Sequence, residues 1–591
     1  MPRPLKYLLY LVVLLIALVA AGAAALAVLF DPNDYKPQIA AQVKSASSLE
    51  LRMPGSIGWK LFPRLSLSIG ETELHTPKTY AGDTLFAKLE EFSLGVGWRS
   101  LLKGALRADQ LSIDGLQLRM VTDKRGHSNW KDVEAAAPAQ DEDDATSASD
   151  SELALELADL SLRNISVQMI DQQLGTTQAF ELDQFLAQYV NLSGKSFPMQ
   201  IDAVINDGQR SFAVDMQADA LIDNANERYA LQNMRGRFDK SQFDGQIKIG
   251  LGKQTTFNGD LNIDEINIDD YTSESEQAAS ANAESQSTAS SEDISFDVLR
   301  SLNTRLKLKI GKLVASEAVF DDLTVDLAIA NSILNLNNFR AGVFGGTIEL
   351  LAKLDARGKQ ASLSVQPKMT QVEIAEVFEN RDIAVNFSGK ASINAALAMR
   401  GNNVDAWLAS VSGNTEFLFD EGRYGDDNIQ YRVCQAIALA RAESLGAALD
   451  TGTAFDSVRT VIDWQNGVGR ITQFTAGLDN LKLNGDGSIS LQDQQFDLRV
   501  LANVTGDISG SYPACVINEK YRNIKWPLRC RGDANESNCG VDNSRLDKIL
   551  AGLVKERAKQ EVREKINEKI GGKIEEKLGK GVGEALKGLF K

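Results

Sequence analysis

The chain has 591 residues, 63 Lys+Arg against 80 Asp+Glu for a net charge of −17, 43% hydrophobic residues, 12 Pro, 4 Cys and 2 His. That length and apolar fraction exclude a disordered chain and admit either several ordinary domains or one long repetitive one. The acidic balance argues against a nucleic-acid binder, and two histidines, His75 and His127, leave little for metal or acid/base chemistry.

After Arg3 and Lys6, the stretch Tyr7 to Phe30 carries no charge over 24 residues, about 36 Å as a helix at ~1.5 Å per residue, enough to span a bilayer. Basic residues before it, with Asp31 and Asp34 after it, orient the N-terminus to the cytoplasm and the rest of the chain outward. A cleaved signal peptide is the rival reading, with A-x-A-like sites in Ala20 to Ala25, but the apolar run outlasts a usual h-region. The expectation is one uncleaved anchor, residues 1–30. Asp34 is placed to cap a short helix through about Val43, with Pro37 in its first turn, where a missing N–H costs nothing.

From there the period becomes two. Leu65, Leu67 and Ile69 alternate with serines, and Leu111 and Ile113 precede an Asp114-Gly115 turn signal. Leu306-Leu308-Ile310, Leu323-Val325-Leu327, Leu481-Leu483 and Leu498-Val500 repeat the pattern. These predict a mainly β body of many short strands, and 12 prolines in 591 residues, about 2% against a typical ~5%, suit a long ladder. The stretch Ala108 to Met120 echoes Ala158 to Met169, at a period of roughly fifty residues. Two readings stay open: hairpin units added in series, or two hairpins alike only because their turns are alike.

Low-complexity stretches at 135–152 and 272–293 predict solvated loops that divide the body into β regions 31–134, 153–271 and 294–544. The cysteines all fall late, Cys434, Cys515, Cys530 and Cys539, an even number suited to an oxidising compartment and two disulfides. Three pairings are open; Cys530 with Cys539 closes the shortest loop. The tail 545–591 holds thirteen Lys/Arg and eight Asp/Glu and reads as a basic amphipathic helix. It suits anionic headgroups on one reading and is a solvated helix laced with i,i+4 pairs such as Glu561 with Lys565 on the other.

No nucleophile-and-base combination, P-loop, metal-ligand spacing or dinucleotide fingerprint is present, which predicts a protein that is not an enzyme and carries no cofactor or catalytic or metal site. Gly485-Asp486-Gly487 reads as a turn, Asp269-Asp270 as solvated strand-end residues and His127 as a loop residue.

Phe30-Asp31-Pro32-Asn33-Asp34-Tyr35, Gly55-Ser56-Ile57-Gly58-Trp59 and Phe62-Pro63-Arg64-Leu65-Ser66-Leu67, followed far downstream by Phe455-Asp456-Ser457-Val458 and Leu481-Lys482-Leu483-Asn484-Gly485-Asp486-Gly487, resemble the AsmA family of Gram-negative envelope proteins. Ala46-Ser47-Ser48 departs from the family's Thr-Gly turn, and the sequences around Cys515 and Cys530 resemble its cysteine-bearing branch. The resemblance implies an inner-membrane, single-pass protein whose periplasmic part is a long curved antiparallel sheet, a taco-like groove of the chorein type. It also implies a part in outer-membrane biogenesis, through phospholipid movement, lipopolysaccharide levels and porin assembly. With about 30 strands at ~4.8 Å, such a groove would reach roughly 140 Å. The expected partners are the inner membrane, phospholipid acyl chains and outer-membrane or envelope proteins. The groove-lining residues expected are Leu65, Leu67, Ile69, Leu111, Ile113, Val325, Leu327, Leu481 and Leu483. The alternative function is an assembly scaffold acting through strand edges without lipid.

Overall fold

Alternation in the sequence becomes strand after strand. A computed structural model describes residues 31–47, 49–60, 64–97, 108–136, 157–252, 254–271, 293–380, 387–424, 452–478, 481–505, 525–533, 537–542 and 545. The expected anchor with Tyr7 and Phe30, most of both low-complexity loops, Cys434, Cys515 and nearly all of the tail lie outside them. Among the described residues no helix is long and apolar enough to cross a membrane. The chain divides into two units, Met1–Ile263 and Asp264–Lys591.

The first unit opens on a 3-10 turn, Pro32–Tyr35, running into α1 (Lys36–Ser47). Asp31, not Asp34, is the cap, accepting from the Asn33 N–H at 2.9 Å, because Pro32 fixes the first helical position one residue later. Eight strands follow: β1 (Glu50–Arg52), β2 (Ile57–Lys60), β3 (Leu65–Ile69), β4 (Thr72–Tyr80), β5 (Asp83–Leu89), β6 (Glu91–Val96), β7 (Ala108–Asp114) and β8 (Gln117–Thr122). Then come α2 (Asn129–Ala136) and β9 (Leu157–Asp171), β10 (Thr176–Val190), β11 (Phe197–Asn206) and β12 (Ser211–Asp223). β13 (Arg228–Phe238), β14 (Ser241–Gly250) and β15 (Thr255–Asn267) complete the series, and β15 runs through the division at Ile263.

Among the described residues of this unit the sheet is antiparallel except at β9. β9 pairs in parallel with β7 over its first half and with β8 over its second, Leu111 beside Leu160 and Met120 beside Met169. The sequence echo therefore has a structural meaning that differs from hairpins in series: like residues 49 apart lie side by side. The two strands kink together at Gly115 (φ +69°) and Asn164 (φ +49°), where Asn164 Nδ2 donates to Asp114 Oδ1 at 2.7 Å. β7 leads on to β6, β3 and β2, while β8 leads to β5, β4 and β1, so the sheet forks at β9.

The second unit holds α3 (Asp297–Ser301), β16 (Leu302–Ala315), β17 (Ala318–Ala330), β18 (Ile333–Val343), β19 (Gly346–Asp355) and β20 (Ala361–Glu373). α4 (Ile374–Glu379), β21 (Phe387–Gly401), α5 (Val404–Ser410), β22 (Ser412–Tyr424), β23 (Thr453–Gln465) and β24 (Val468–Leu478) follow. β25 (Leu481–Ser490), β26 (Gln495–Val504), β27 (Lys525–Gly532) and β28 (Ser537–Val541) end it. Each strand from β16 pairs antiparallel with the next, and among the described residues β28 does not return to β16, so this sheet is open. Phe296, Leu299, Ile329, Ala356 and Ala361 form a small core at one rim, with Trp407 of α5 packed against it.

Two-residue turns with both residues at positive φ join several hairpins: Ala81-Gly82, Ser316-Glu317, Asn331-Ser332, Phe344-Gly345 and Asn466-Gly467. Such turns match the right-handed twist of the strands. Asp269, expected as a solvated strand-end residue, accepts from the Ser316 and Glu317 N–H groups at 2.7 and 2.9 Å and so clamps one of them. Gly467 combines φ +76° with a site where a Cβ would lie 2.6 Å from the Leu408 carbonyl oxygen. Gly467→Val is expected to destabilise the second unit by about 1–3 kcal/mol, read as a lowered denaturation midpoint.

Candidate functional site

Residues directly opposite in a ladder share a face of the sheet. In the first unit one such row runs Ile57, Ile69, Phe92, Ile113, Leu162, Phe185, Ile201, Met216, Gly236, Phe243, Ile263, a line across eleven strands. At about 4.8 Å per strand its ten steps span roughly 48 Å. A second row, from Trp59 through Leu67, Leu94, Leu111, Leu160, Ala187 and Met199 to Ala218, lies on the same face. Neither contains a charged or hydrogen-bonding side chain except the Trp59 indole.

The second unit repeats the arrangement. Leu306, Leu327, Leu336, Ala352, Val365 and Leu397 form one row, and Val372, Ala391, Phe419, Val458, Ala476, Leu483 and Ala502 another. A third runs from Ile348 through Met369, Ile393, Phe417, Thr460, Phe474 and Gly485 to Val500. Glycines leave room on this face. Gly413 and Gly469 flank Trp464, whose Nε1 donates to Thr415 Oγ1 at 3.0 Å.

Charge is segregated to the other face. Arg340 and Lys368 both reach Glu349, at 2.9 and 3.1 Å, Arg459 pairs with Glu416 at 2.7 Å and Arg499 with Asp486 at 2.6 Å. Such exposed pairs contribute up to about 1 kcal/mol each and chiefly keep that face wet. The hydrogen-bonded Arg529 guanidinium holds the Asp497 carboxyl below the usual carboxylate range.

Burial separates this surface from an ordinary sandwich, in which the apolar face is the covered one. Over most of β14 and β20 the apolar positions are half-buried, not fully buried, between exposed polar ones. In the first branch of the fork the usual order is reversed: Trp59 and Leu94 on the apolar face are 39% and 38% exposed, while Ser66 and Ser93 on the opposite face are 7% and 8% exposed. On that branch the apolar face is the more accessible one; elsewhere most row residues are half-buried, while Ala187, Val372, Ala391 and Phe419 are buried.

Leu65, Leu67, Ile69, Leu111 and Ile113 all lie half-buried on β3 and β7; Ile69 and Ile113 stand on the eleven-strand row of the first unit, and Leu67 and Leu111 on the row beside it. Val325, Leu327, Leu481 and Leu483 are half-buried in the second unit, with Leu327 and Leu483 on its rows and Val325 between Leu308 and Phe339. Met216, Phe243 and Phe417 also belong to the surface, as do Phe185 and Phe474, which simple alternation does not single out. Gly485-Asp486-Gly487 is the interior of β25 and not a turn; a Cβ at Gly485 would meet the Arg499 carbonyl oxygen at 2.6 Å. Its glycines serve close strand approach.

His75 is buried between Thr84 Oγ1 at 3.1 Å and Glu73 Oε2 at 3.2 Å, and His127 sits in the loop before α2, 3.5 Å from Asp123. Among the described residues no group of three or more His, Cys, Asp or Glu is arranged to hold a metal ion. Cys530 and Cys539 face each other across β27 and β28, and no described cysteine is free.

The model of the AsmA family matches residues 1–203 and 177–474. Protein AsmA of Escherichia coli strain K12 is 22% identical over 605 aligned positions, covering 91% of this chain and 93% of that protein. No solved structure matches the chain.

Proposed function

The chain belongs to the AsmA family, and from that premise and its open apolar rows we propose that it is a non-enzymatic protein of envelope biogenesis that binds phospholipid acyl chains and conducts them between inner and outer membrane. On this reading residues 7–30 anchor it in the inner membrane and the β body occupies the periplasm. Its effect on outer-membrane protein and lipopolysaccharide assembly then follows from lipid supply.

The observation that carries the proposal is the continuous, uncharged apolar face, most of whose residues are half-buried and not fully covered. Withdrawing an acyl chain from a bilayer into water costs about 0.8 kcal/mol per CH₂, so fourteen methylenes cost roughly 11 kcal/mol. A carrier must offset this along the whole path, which favours an unbroken apolar line over a single polar site. The roughly 48 Å row is about three times the ~15 Å depth of one leaflet. Purification of the full chain in mild detergent is expected to bring phospholipid with it, detected by mass spectrometry. A stoichiometric protein partner with no lipid would instead establish the scaffold reading.

The oxidising compartment implied by this reading would close Cys530 onto Cys539, stapling the last hairpin and adding about 2–4 kcal/mol. Peptide mapping without reductant is expected to yield these two cysteines linked. A link from Cys530 to Cys434 or Cys515 would refute the pairing.

A further inference from the structure

The uncharged run ends at Phe30, and the described residues begin at Asp31, the cap of the first turn. Asn33 and Lys36 fasten the chain to the sheet at once. Asn33 behaves like a short strand against the edge of β2: its Nδ2 donates to the Ile57 carbonyl and its Oδ1 accepts from the Ile57 N–H, each at 2.8 Å. Lys36 Nζ donates to the Gly55 carbonyl at 2.6 Å. Three residues of extended chain reach at most about 10 Å. The end of the apolar run therefore lies within roughly that distance of Asn33, and Asn33 is bonded directly to Ile57, the first member of the eleven-strand row.

The same place carries an exposed apolar face. The turn and α1 contain no buried residue, and Tyr35 and Ile39, one helical turn apart, are 44% and 40% exposed. Lys36 and Lys44 flank them. An amphipathic aromatic, a branched aliphatic and lysines are the composition of a segment lying at a membrane interface. A helix held within a few residues of a bilayer can bury the exposed parts of Tyr35 and Ile39 there.

We propose that the face of the 3-10 turn and α1 bearing Tyr35 and Ile39 is seated in the headgroup layer of the bilayer that holds residues 7–30, so that the β2 end of the sheet is docked on the membrane and not tethered to it. This rests on the anchor reading and adds a fixed contact. Its consequence is that the apolar row starts at the lipid surface, with no linker for an acyl chain to cross.

The test uses the full-length protein in vesicles of phosphatidylethanolamine and phosphatidylglycerol. A fluorescent amino acid is placed at Tyr35, at Ile39 or, as a control, at Leu174 in the turn after β9, which is also exposed. Lipids spin-labelled at the headgroup are expected to quench the first two at least about twofold more than the third. Equal quenching at all three sites, with the chain still resisting carbonate extraction, overturns the docking while leaving the anchor intact. Release of the chain by carbonate overturns the anchor itself, and the docking with it.

Discussion

Photo-crosslinking side chains at Leu67, Leu327, Phe417 and Leu483 are expected to capture phospholipid in intact cells, while those at Lys307, Lys368 and Lys482 capture none. The first set stands on the apolar rows and the second on the charged face of neighbouring strand positions. Because successive residues in a strand point to opposite faces, Lys482 and Leu483 differ by one position and by the whole thickness of the sheet. Nothing but face distinguishes the two sets. Equal labelling would mean that lipid coats the protein at random, and would refute a conduit. Ser66, although it alternates with Leu65 and Leu67, is unsuitable as a control because it is buried. Capture of one protein at the rims, with no lipid on the rows, would point to the scaffold.

How far the sequence reveals this surface depends on whether a strand keeps its phase. β3 does: Leu65, Leu67 and Ile69 are two apart and land on one face. Elsewhere a bulge intervenes, and apolar residues three apart land on the same face: Leu182 and Phe185, Leu231 and Met234, Met369 and Val372, Ile471 and Phe474. An extra residue, at positive φ in Asn233 and Gln371, absorbs the missing step. A period-two template breaks at each of these points, which is why Phe185 and Phe474 escape it. The parallel ladder on β9 is hidden for another reason. Similarity between segments 49 residues apart does not say whether they stack in series or lie side by side, and only the kink shared by Gly115 and Asn164 distinguishes the two.

Leu94→Asp is expected to empty the first unit of lipid without unfolding it. Leu94 stands in the row between Leu67 and Leu111, and its 38% exposure means that a carboxylate there can stay hydrated in the free protein. The cost appears when an acyl chain covers it. Placing an aspartate among acyl chains costs about 2.5 kcal/mol or more, which converts to roughly seventyfold weaker occupancy at that step. Leu94 stands two residues from Phe92, where the longer row crosses β6 on the same face, so the carboxylate lies beside both rows and the loss should extend to lipid bound beyond them. Gln217→Asp, on the exposed face of β12, adds the same charge and should leave lipid recovery unchanged. The measurement is phospholipid per mole of purified protein, with thermal denaturation showing that both variants remain folded. If Leu94→Asp retains full lipid while folded, acyl chains do not pass along the row of Leu67, Leu94 and Leu111, and any crossing of β6 on that face runs through Phe92 alone.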